Sequence, residues 1–87
     1  MSIQSKVQQI TGLAMDISES GIADVTLHLH GELGILDVFA SQADAVVMTK
    51  YLYTKSEAFK TEQQINIELD AVIAQLNELK AQKELTA

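Results

Sequence analysis

Asp24-Val25-Thr26-Leu27-His28-Leu29-His30-Gly31-Glu32-Leu33-Gly34-Ile35-Leu36-Asp37-Val38-Phe39-Ala40 decides the fold of this 87-residue chain. From Ile22 to His30 the residues alternate. Val25, Leu27 and Leu29 share one parity, while Asp24, Thr26, His28 and His30 share the other, which is the period of a half-buried strand. Gly31-Glu32 then supplies the Gly-X pair of a two-residue type II′ hairpin turn. Counting outward from that turn sets Leu27 opposite Leu36 and Val25 opposite Val38. The polar set Asp24, Thr26, His28 and Asp37 falls on the other face. A slip of one residue would drive Asp37 among the leucines, so the face pattern resists it. The reading is a hairpin with strands at about 22–30 and 33–40.

The chain on either side of the hairpin fills out the fold. Residues 41–54 have two readings. Ser41-Gln42-Ala43-Asp44 resembles a helix start, but Val46 to Thr54 is dense in β-branched and aromatic residues. A third strand over about 46–54 is preferred, with Ser41 to Asp44 as the turn; a short helix over 42–52 is the alternative. Upstream, Ile3, Val7, Ile10, Ala14 and Ile17 recur at steps of three and four, so a helix is expected over about 3–17. Gly12 sits inside it at a cost of about 1 kcal/mol relative to Ala, and a helix ending there is the runner-up. Gly21 suits a left-handed cap.

Downstream, Ile65, Leu69, Val72, Leu76 and Leu79 fall at steps of four, three, four and three. That is one narrow a/d seam on a helix over about 57–83. Ser56 can cap it, and Thr61-Glu62-Gln63-Gln64 is itself a capping box. Phe59 and Ile73 widen the stripe, and 81–87 is expected to fray. The fold class is α+β in one domain: an N-terminal helix, a three-stranded antiparallel meander, and a long C-terminal helix packed on one sheet face.

Composition excludes several functions. The chain has 12 Asp plus Glu against 6 Lys, no arginine, and a net charge of −6. Arginine supplies the fork that reads guanine and clamps phosphate, so direct nucleic-acid binding is not expected. The carboxylates are spread along the chain, as in a solvated surface. There are no cysteines, hence no disulfides or thiolate chemistry. No apolar run reaches bilayer length, and Met1 to Lys6 lacks a signal-peptide start. The cytoplasm is the expected location, with no membrane contact.

The layout resembles that of small accessory proteins encoded by phages and prophages. The local match is His30-Gly31-Glu32-Leu33 before Leu36-Asp37-Val38, followed by a β-rich run ending Tyr51-Leu52-Tyr53 and a long charged helix. The resemblance implies an accessory gene product and carries no catalytic residue with it.

The sharpest chemical feature is His28-x-His30. On a strand, i and i+2 point the same way, so two imidazoles could reach one metal ion. Asp37 or Glu32 could add an oxygen. The competing reading is two histidines on a solvated sheet face. No serine sits in a nucleophile elbow and no Gly-rich loop precedes a helix. Eighty-seven residues make a shallow pocket at best, so no enzyme and no cofactor are expected.

Partner contact is the remaining role. If helices cover one sheet face, the other shows Ile35, Phe39, Tyr51 and Tyr53, an apolar set for permanent exposure. The C-terminal helix, about 40 Å long, outruns a strand of about 27 Å. Its overhang carries Leu76 and Leu79, with Val72 before them, and a homodimer through that overhang is expected. The functional expectation is a non-enzymatic interaction protein. The alternatives are an acidic inhibitor of a host nucleic-acid-binding protein, and a metal-binding protein using His28 and His30.

Overall fold

The computed structural model describes residues 2–43, 45–55 and 60–86, the last five of these as backbone only. The elements are α1 (Ile3–Ser20), β1 (Asp24–His30), β2 (Ile35–Gln42), β3 (Ala45–Tyr53) and α2 (Glu62–Thr86). The fold is α+β, with an antiparallel sheet in the order β1-β2-β3.

Helix α1 starts where Ser2 accepts the Ser5 N–H at 3.1 Å. It runs unbroken through Gly12 and stops at Gly21, whose φ of 80° is left-handed and whose N–H donates to the Ser18 carbonyl. The expected end at residue 17 is thus three residues short. Ser18-Glu19-Ser20 is polar but stays helical. The Ser20 hydroxyl donates back to the Ile17 carbonyl at 2.8 Å, and the Ser18 hydroxyl accepts the Val25 N–H at 3.0 Å, which ties the helix end to β1.

The hairpin keeps its faces but not its turn. His30 pairs with Ile35, His28 with Asp37, Leu27 with Val38 and Val25 with Ala40. The two-residue turn at Gly31-Glu32 is therefore corrected to a four-residue loop, 31–34, and β2 begins at Ile35 rather than at residue 33. Gly34 closes the loop, donating its N–H to the His30 carbonyl at 2.9 Å. Its φ is 71°, a conformation suited to glycine. The register moved by two, an even number, so every side chain kept its face.

Residues 45–53 form the third strand, which settles the ambiguity against a helix. The turn before it is shorter than Ser41 to Asp44, because Ser41 and Gln42 still belong to β2. Ala43 turns the chain at φ 47°, a strained value for a residue with a Cβ; Asp44 lies outside the described residues. Ala40 pairs with Met48 and Ser41 with Val46, so Val47 is the extra residue of a β-bulge.

Leu36, Val38 and Ala40 of β2 and Met48 and Leu52 of β3 share one sheet face. They join Ile10 and Ile17 of α1 and Ile65, Leu69, Val72, Ile73, Leu76 and Leu79 of α2 in one core cluster. Thr61 caps α2 through the reciprocal box read from the sequence. Its hydroxyl accepts the Gln64 N–H at 3.1 Å, and the Gln64 side chain accepts the Thr61 N–H at 3.0 Å. Described helix begins at Glu62, five residues after the expected start, and continues through the stretch expected to fray. Ser56 and Phe59 lie outside the described residues.

The two helices run side by side in the same direction. Lys6 pairs with Asp70 at 3.0 Å and Asp16 with Lys80 at 3.3 Å. Both partners of the second pair lie ten residues beyond those of the first, so the stagger is constant. This overturns the reason for a dimer at the α2 overhang. Eighteen residues of α1 extend about 27 Å, and they cover the distal half of α2. Val72, Leu76 and Leu79 are 1%, 0% and 6% exposed within a single chain. They belong to the core cluster of the single chain.

Candidate functional site

The sheet face turned away from the core collects the residues that carry chemistry. Its rows, read across β1, β2 and β3, follow from the register: Thr26–Phe39–Thr49, His28–Asp37–Tyr51 and His30–Ile35–Tyr53.

The histidine pair stands as the strand period predicts. The His28 and His30 rings lie edge to face with centroids 5.7 Å apart. Asp37, expected diagonal to His28, is directly opposite it, because the hairpin register sits two residues further on. Asp37 is also diagonal to His30, and its Oδ2 lies 3.8 Å from His30 Nε2. One ligand atom from each of the three residues lies within 4.8 Å of the others. The histidines are exposed and Asp37 is partly so. Glu32, the other oxygen considered from sequence, is in the hairpin loop and outside this cluster.

The apolar part of the face lies toward the other end and edge. Phe39 is 41% exposed, Tyr51 57% and Val46 59%. Val46 joins the face because the Val47 bulge shifts the pairing by one residue, a feature that alternation alone does not reveal. Tyr53, read as part of the same strip, is half-buried at the core margin. Its ring lies edge to face with Tyr51 at 5.7 Å, and the Lys60 ammonium sits 5.5 Å from its centroid. Lys60 also pairs with Glu68, joining the start of α2 to the sheet end.

Lys6 was not legible as anything but a helix surface residue. Its side chain is 10% exposed, and its ammonium reaches both Asp70 oxygens at 3.0 and 3.1 Å. The long side chain covers the seam between the helices while its charge is held by the neighbour. A groove of about 580 Å³ lies at the sheet end between Ile3, Val7, Leu29 and Lys55. Among the described residues, no helix is long and apolar enough to cross a membrane.

The chain matches no family model, no curated protein and no solved structure.

Proposed function

We propose that this chain is a small, non-enzymatic interaction protein that forms a homodimer through the open face of its sheet. The observation that carries the reading is the exposure of Phe39, Val46 and Tyr51 on the face opposite the core cluster. Large aromatic side chains at a solvated surface mark contact sites more often than a random surface does. The charge distribution supports a second copy as the partner. Among the described residues, this face carries two carboxylates, Asp24 and Asp37, beside two histidines. The net charge of −6 belongs mostly to the rest of the molecule, so two such faces can meet without facing full self-repulsion.

Size sets the strength. Three strands spaced about 4.8 Å apart and seven to nine residues long make a footprint of roughly 14 by 25 Å. That is below the ~800 Å² per partner of a standard interface, so the dimer is weak and reversible. In this reading the layout shared with small phage and prophage products fits an accessory protein that works by contact. Mimicry of nucleic acid gains no comparable support, since Asp16, Asp70 and Glu68 are each tied to a lysine.

The test is replacement of Phe39 and Tyr51 by serine. Both are exposed, so the monomer keeps its fold. Association falls if this face is the contact surface, and stays as it was if it is not.

A further inference from the structure

Both histidines of the chain stand on one strand, two residues apart, with a carboxylate across from them. We propose that His28, His30 and Asp37 bind a divalent first-row transition cation, with Zn²⁺ as the reference ion and one coordination position left open to water or an incoming ligand.

The geometry is close to what a metal requires. Zn²⁺ holds nitrogen and oxygen ligands at about 2.0–2.2 Å, which places neighbouring ligand atoms about 3.4 Å apart in a tetrahedron. Here the three atoms lie within 4.8 Å of one another, and one pair is already at 3.8 Å. Rotation of exposed side chains closes the difference, with no core packing to break. The backbone positions are fixed by the β1–β2 ladder, so the site is held on rigid strands rather than on a loop. Two imidazoles and one carboxylate select Zn²⁺, Ni²⁺ or Cu²⁺ over Ca²⁺ and Mg²⁺, which want all-oxygen shells. Three protein ligands leave a position open, unlike a closed four-ligand structural site. The hydrophobic core is elsewhere, so the metal is not needed for folding.

The alternative is a bare His30–Asp37 ion pair. Both side chains are nearly half exposed, and an exposed pair is worth about 0–1 kcal/mol. It explains neither His28 nor the convergence of all three groups.

The site does not depend on the homodimer. The test is a calorimetric titration of the untagged, chelator-treated full chain with Zn²⁺ at neutral pH. One equivalent per chain is expected. His28→Ala and His30→Ala should each weaken binding by at least about tenfold, and Asp37→Asn should weaken it as well. Asp24→Asn, a carboxylate on the same face outside the cluster, should leave it unchanged, as should Phe39→Ser. Far-ultraviolet circular dichroism confirms that each variant is folded, with His30→Gln as the milder replacement. Absence of saturable binding overturns the proposal. So does Zn²⁺ binding that survives in the His28→Ala/His30→Ala double variant, which would assign the ion to dispersed surface carboxylates.

Discussion

Leu76→Ala separates an internal seam from a dimer seam. Leu76 is fully buried in the single chain. The ion pairs Lys6–Asp70 and Asp16–Lys80 set Ile10 and Ala14 of α1 near its level. The substitution removes three carbons, worth about 2.4 kcal/mol at about 0.8 per buried methylene. Cover comes from one side by a helix and from the other by a sheet, so the site collapses only partly and a cavity term adds to this. The sum is about 3 kcal/mol, inside the 2–5 range for buried leucines. A chain of 87 residues has a total stability of about 4–13 kcal/mol, so the variant loses a large share of it. Urea unfolding followed by circular dichroism, at two protein concentrations tenfold apart, measures the effect. The loss should be the same at both concentrations. A loss under about 0.5 kcal/mol, within the usual range for surface substitutions, would refute the internal seam. A loss seen only as a concentration dependence would return Leu76 to an intermolecular interface.

Five further substitutions test local features. Gly12→Ala should raise stability by about 0.8–1 kcal/mol, because the position is exposed, helical and has nothing within 4 Å of a new Cβ; thermal melting reads it as a higher midpoint. Ala43→Asn should stabilise by about 0.5–1 kcal/mol by relieving a left-handed alanine. Gly34→Ala should do the reverse in the same assay, since its φ is 71° and its Cβ would lie 2.7 Å from Lys55 Cγ. Asp70→Ala should cost more than Lys6→Met, as the first strands a mostly buried ammonium and the second replaces it with an apolar chain of similar length; denaturant midpoints of the two variants and of the double variant decide it.

The sequence carried the faces of the sheet further than its register. Alternation distinguishes odd slips from even ones, so Leu27 was assigned to the core face although its partner is Val38 and not Leu36. Two glycines flank the loop, and turn chemistry at Gly31 alone favoured the tighter turn. The left-handed position is Gly34, and that placed Asp37 opposite His28. The bulge at Val47 had no signature, because β-branched residues on both parities hide the break in alternation. For the helices, the a/d period was plain but its partner was not. A period states that a seam exists and is silent on what covers it. A strand is shorter than α2, but α1, whose apolar residues repeat with the same steps from Ile3 to Ile17, lies beside its distal half. Lys6 and Asp70, 64 residues apart, meet only once both helices are placed in parallel.

On the proposed reading the working surface is the open sheet face with Phe39, Val46 and Tyr51, and not the α2 seam. Sedimentation equilibrium over a wide concentration range tests it, using the wild type and the Phe39→Ser/Tyr51→Ser variant. The wild-type mass should rise from 9.5 kDa toward twice that value with concentration, while the folded variant stays at 9.5 kDa. A wild type that remains at the monomer mass throughout, or a variant that associates equally well, would contradict it.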